Sequence, residues 1–147
     1  MVEWLPNKIG FGYYFAVVTT EKDFKKQLKK MNVKYDTDWL SAHAKTHSFR
    51  SGTGKGSSIV TFDANDPDNI KRLKDNPLGI VGLAVHEATH VKQDFLRFIG
   101  EHNPSVEFEA YLMQHISEEI IGSIGKALHR ASKRKSLGVG KPVKLTI

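Results

Sequence analysis

The sequence contains no cysteine. This excludes disulfides, thiolate metal ligands and cysteine nucleophiles together, so any metal must be held by histidine and carboxylate. It also contains no run approaching the roughly 20 apolar residues that cross a bilayer. Its opening residues, Met1 to Pro6, lack a basic segment followed by an apolar one, so the expectation is a cytoplasmic protein without membrane contact. Hydrophobic residues make up 39% and charged residues 26% of 147, a balance that suits one soluble globular domain and argues against a disordered or fibrous chain. Acid is in deficit: net charge is +6, with six lysines between Lys22 and Lys34 and six basic residues between Arg130 and Lys144. These two patches could engage nucleic acid or another polyanion, but no aromatic residues interleave with the charges of the tail as single-strand stacking would need.

Phe11 to Thr20, FGYYFAVVTT, is aromatic and β-branched and reads as a strand. Thr20 offers an N-cap to a lysine-rich helix from about Glu21 to Met31, in which Phe24, Leu28 and Met31 share a face. Residues 35–40 could start a short element. His43–Arg50 and Ser57–Ala64 read as two further strands, with the Gly-rich segment from Ser51 to Ser57 as the hairpin loop between them. That loop is not a phosphate cradle, because Lys55 is followed by Gly56 and a strand, where Ser/Thr and a helix are required. Asp63 to Asn69 lacks the Gly and Glu of a calcium loop and reads as a turn that caps a helix. Helix signals resume near Asp68 and again after Asn76-Pro77, where a long helix runs from Leu78 to about Ile99. Asn103-Pro104 breaks the chain, and a last helix capped near Ser105 runs to about Ala131. The expected organisation is one domain over residues 1–131, followed by a basic, loosely held tail over 132–147 ending in a short strand.

Within the long helix lies His86-Glu87-Ala88-Thr89-His90, an H-E-x-x-H unit. Residues four apart share a helix face, so both imidazoles can grip one ion with Glu87 beside them to handle protons. The flanking Leu83, Ala84, Val85 and Val91 are apolar, so these polar groups would otherwise meet a core without partners. A catalytic zinc needs a third protein ligand and one open position. The acids of the returning helix, Glu107 and Glu109, follow His90 at a distance that allows an antiparallel return. They stand about 200° apart on a helix, so only one can face the metal. Glu107 is the favoured third ligand because small Ala110 lies one turn further along its face, and Glu109 is the alternative.

The combination HEATHVKQ…NPSVEFEAYLMQHI resembles the zincin metallopeptidases. It is closest in pattern to the gluzincin type, and is similar to small metallopeptidase-like proteins of bacteriophage and bacterial genomes. The resemblance covers Gly79 to Ile121. It implies an α+β fold in which a small, mostly antiparallel sheet packs on an active-site helix and a returning C-terminal helix. It also implies Zn2+ as cofactor, with His86, His90 and Glu107 (or Glu109) as metal ligands and Glu87 as general base. The activity implied is hydrolysis of a peptide or protein substrate. Zinc so held acidifies a bound water and polarises a carbonyl, and Glu87 would take the proton and pass it to the leaving amine. Glu118, Glu119 and Asp63 are available to orient the ligand histidines, and Tyr111, His115 and Tyr14 to stabilise an oxyanion, but the sequence assigns none of these roles. The remaining histidines, His43, His47, His102 and His129, read as surface residues. An extended peptide is expected to join an edge strand at Ile59–Phe62. The alternative function is a non-catalytic, zinc-stabilised binding or regulatory protein that uses the basic patches on nucleic acid or a protein complex.

Overall fold

The computed structural model describes residues 5–34, 38–40 and 42–138. The expected element at residues 35–40 and the expected terminal strand fall partly or wholly outside them. The architecture is α+β. Strands β1 (Asn7–Gly10), β2 (Tyr13–Val18), β3 (Ala44–Arg50) and β4 (Gly56–Phe62) form one sheet in the order β1-β2-β4-β3. β1 pairs antiparallel with β2, β2 parallel with β4, and β3 antiparallel with β4. Helix α1 (Glu21–Lys30) follows β2, and α2 (Pro67–Asp75), α3 (Pro77–Ile99) and α4 (Val106–Ser136) follow β4. Among the described residues no helix is long and apolar enough to cross a membrane.

Alternation along the strands sends side chains to two covered faces. Tyr13, Phe15, Val60 and Phe62 point into the larger core, where they meet Ile80, Ala84, Ala88, Val91 and Phe95 of α3 and Leu112, Ile116, Ile120, Ile124 and Leu128 of α4. Ala16, Val18, Phe49 and Ile59 point the other way, onto Phe24 and Leu28 of α1. β4 lies between β2 and β3, and all seven of its residues are buried. Ile59–Phe62 is therefore an interior strand, and the expectation of a peptide-receiving edge there is corrected: among the described residues the edge strand on that side is β3.

The helix termini follow from capping chemistry. Thr20 accepts from the Asp23 amide, Asp66 from that of Asp68, Asn76 from that of Gly79 and Ser105 from that of Phe108, each satisfying an amide that the helix leaves unpaired. α3 stops at Gly100, whose φ of 69° is the left-handed conformation that ends helices. Two elements depart from expectation. β1 is an added strand, joined to β2 through Phe11, which is 78% exposed and sits in the turn at φ 52°. α4 continues past Ala131 to Ser136, because Lys and Arg are good helix formers and gain from the helix dipole in the last turn.

Candidate functional site

The H-E-x-x-H unit sits midway along α3. The face carrying Ile80, Ala84, Glu87, Ala88, Val91 and Phe95 is buried, so the helix is fixed by its apolar stripe, while His86 and His90 emerge on an exposed flank. Their rings stand at 83° to each other with Nε2 atoms 3.2 Å apart. Glu87 is on the buried face, only 3% exposed. Its carboxylate Oε2 accepts a 2.6 Å hydrogen bond from Thr46 Oγ1 of β3. Such a bond is needed, because a buried carboxylate without a donor is costly.

Between α3 and β3 lies an open groove of about 360 Å³, lined by Ala44, Lys45, Thr46 and Ser48 from the strand and by His86, Glu87, His90 and Asp94 from the helix. Strand and helix are tied a second time at the far end, where Arg50 donates to the Asp94 carbonyl at 3.4 Å and stacks over the Tyr13 and Phe98 rings. Asp94 repeats the spacing of the two histidines one turn further on, and its carboxylate, 15% exposed, pairs with Arg97 at 3.0 Å.

Whether these residues suit zinc turns on donor type and spacing. Two imidazole nitrogens 3.2 Å apart match the span of two zinc–nitrogen bonds of about 2.0–2.1 Å at a near-tetrahedral angle. The histidine pair therefore fits. The expected third ligand does not join it: among the described residues no group of three His, Cys, Asp or Glu is arranged to hold a metal. Glu109 instead receives Lys92 Nζ at 2.6 Å, and Glu107 stands exposed on the first turn of α4. The cause is helix phase. Lys92 is two residues beyond His90, hence about 200° around α3, so an α4 docked through Lys92–Glu109 brings its first turn to a different face of α3 from the histidines.

The unassigned candidates for supporting roles also lie elsewhere. None of Glu118, Glu119, Asp63, Tyr111, His115 and Tyr14 lines the groove. Glu118 accepts from Gln114, Asp63 from the Asn65 amide, and the His115 ring lies against Phe15. His47 is not a surface residue. It is 6% exposed, lies 4.7 Å ring to ring from Phe24 beneath α1, and its Nε2 is bonded to Thr61 Oγ1 and the Trp39 carbonyl. Burial holds its pKa below the ordinary histidine value. The sequence reading missed Thr46 and Asp94. Asp94 had a signal, one turn beyond His90 on the same face, whereas Thr46 reaches Glu87 across 41 residues of chain and had none. Searched against family models, curated proteins and solved structures, the chain matches none of them.

Proposed function

We propose that the protein is a zinc-dependent peptidase in which His86 and His90 hold the metal and Glu87 is the general base. One observation carries the reading: two facing imidazole nitrogens 3.2 Å apart and a carboxylate fixed by Thr46 line one groove. The histidines present two imidazole nitrogens to one point. Zinc, when bound, supplies an acidified water and a polarised carbonyl. Glu87 is held at the groove wall, where its free oxygen can take a proton and return it to a departing amine. The substrate reading rests on β3. Among the described residues only one side of this strand is paired, so an extended peptide can add along its open edge with backbone hydrogen bonds and lie over the groove.

The test combines metal content with turnover. Zinc measured by elemental analysis after dialysis should be one per chain in the wild type and absent in His86→Ala. Glu87→Gln should retain zinc yet cleave no member of a peptide library that the wild type cleaves. Zinc-loaded wild type that cleaves nothing in a broad library refutes the catalytic reading, and loss of zinc from Glu107→Ala would restore that residue as a ligand.

A further inference from the structure

A second cleft, independent of the zinc reading, lies past the carboxyl ends of the parallel strand pair. β2 and β4 are adjacent and parallel, and their chains leave to opposite faces of the sheet: β2 into α1, β4 into α2 and α3. Where neighbouring parallel strands part in this way, a crevice is left at their carboxyl ends, and open α/β sheets bind ligands there. In this protein the strand ends are held together by the Ala64 amide bonding to the Thr19 carbonyl at 3.2 Å. The crevice beside them, about 230 Å³, is lined by Thr19, Thr20 and Asn65 and roofed by Arg130 and Arg134 of α4.

The two arginines are one helical turn apart, both are exposed, and neither has an ion-pair or hydrogen-bond partner among the described residues. Asp23, the one acid among the lining residues, already accepts from Thr20 Oγ1 at 2.9 Å, and one carboxylate leaves two guanidiniums with net positive charge. Like charges at this spacing on a helix repel, so the pair is unfavourable until an anion joins it. Planar guanidinium forks match the oxygens of phosphate in pairs. Lys126 and Lys133 extend the pair into a stripe of four exposed cations on one face of α4, about 12 Å long by helical rise, and residues 126–136 contain no acid.

We propose that this crevice and stripe bind the phosphodiester backbone of duplex nucleic acid, with one phosphate between Arg130 and Arg134. Two features select this occupant. The stripe continues beyond the crevice, which a single small phosphate would not use, and among the described residues no aromatic ring lines the crevice, whereas single-strand binders stack bases on aromatic rings. Recognition through phosphate alone reads charge and spacing, not base sequence.

The test is binding of the full chain to a labelled 20-base-pair duplex by fluorescence anisotropy across a salt series. Three phosphate contacts, one shared by Arg130 and Arg134 and one each at Lys126 and Lys133, predict a slope of log K against log salt of about −2.7, or roughly a 40-fold loss of affinity between 50 and 200 mM salt. Arg130→Ala/Arg134→Ala should reduce the slope to about −1.8 and the loss to roughly 12-fold. Lys71→Ala/Lys74→Ala, which removes the same net charge from α2, should leave the slope unchanged. Should the alanine pair fail to fold, Arg130→Lys/Arg134→Lys keeps the charge. It should preserve the slope while weakening binding several-fold through loss of the paired contacts. The proposal is overturned if the wild type does not bind the duplex at 50 mM salt, if the α2 variant shifts the slope as far as the α4 variant, or if the lysine pair binds as tightly as the wild type. It is equally overturned if polyglutamate of matched charge, or single-stranded DNA, binds as tightly as the duplex.

Discussion

Replacing Thr46 by valine tests the placement of Glu87, the proposed general base, most directly. The substitution keeps the β-branched shape suited to strand β3 and removes only the hydroxyl that donates to Glu87 Oε2 at 2.6 Å. Glu87 is 3% exposed, so water cannot readily replace the lost donor, and a hydrogen bond to a charged group contributes about 1.5–3 kcal/mol. For a chain of this size that corresponds to a fall in Tm of about 3–12 °C. The assay is urea and thermal unfolding in the presence of a chelator, because a bound ion would add stability of its own by mass action. In a Glu87→Gln background the same Thr46→Val change removes only a neutral hydrogen bond and should cost about 0.5–1.5 kcal/mol. The difference between the two backgrounds isolates the coupling. A Thr46→Val protein within about 0.5 kcal/mol of wild type, or an equal loss in both backgrounds, would show that Glu87 is not held against β3.

Other substitutions probe the surroundings of the site. Glu109→Gln should leave zinc affinity within about twofold of wild type and cost about 1–2 kcal/mol, because it strands a Lys92 that is only 16% exposed; that figure lies between the contributions of exposed and buried pairs, and urea unfolding checks it. Gly56→Ala places a methyl group 2.7 Å from carbons of both Tyr13 and Phe98. The overpacking should cost about 1–3 kcal/mol, and a stabilised variant would refute that local geometry. For His47, burial lowers the folded-state pKa, so the unfolded chain takes up a proton first as pH falls below about 6.5. Stability should therefore be fully present above that value and decline below it until the folded form also protonates. His47→Gln should flatten that part of the profile in urea titrations.

Local chemistry made the helices legible. Thr20, Asp66, Asn76 and Ser105 all cap as their side chains suggest, and the apolar spacing of α3 places Glu87 inward and the histidines on a flank. The sheet was legible as segments only. β1, Asn7–Gly10, has a single strongly β-favouring residue, Ile9, and exists because the turn at Gly10, Phe11 and Gly12 folds it back onto β2. Strand order is a property of pairing across long loops, and nothing in Ile59-Val60-Thr61-Phe62 distinguishes an interior strand from an edge. His47 illustrates the same point. The alternation of Ala44 to Arg50 separates Thr46 from His47, but burial of both faces depends on α1 covering one and α3 the other.

The placement of the α4 acids away from the histidines is informative, because spacing and phase are different constraints. The interval between His90 and the acids of α4 allows an antiparallel return, and α4 does return beside α3. Which face of α3 it meets is decided by the whole length of the contact, in which Leu112, Ile116, Ile120, Ile124 and Leu128 bury an apolar stripe. At roughly 1.5–3 kcal/mol for each large side chain buried, that stripe outweighs any preference of one glutamate for one ion at the end of the helix, and Lys92–Glu109 then pins the first turn. Bringing Glu107 to the histidines would require a rotation of α4 that exposes part of this stripe. Double substitution of Lys92 and Glu109 by alanine removes the pin but not the stripe, so it should leave zinc affinity near the wild-type value. A tenfold gain in affinity that depends on Glu107 would show that the salt bridge, and not the core, sets the phase.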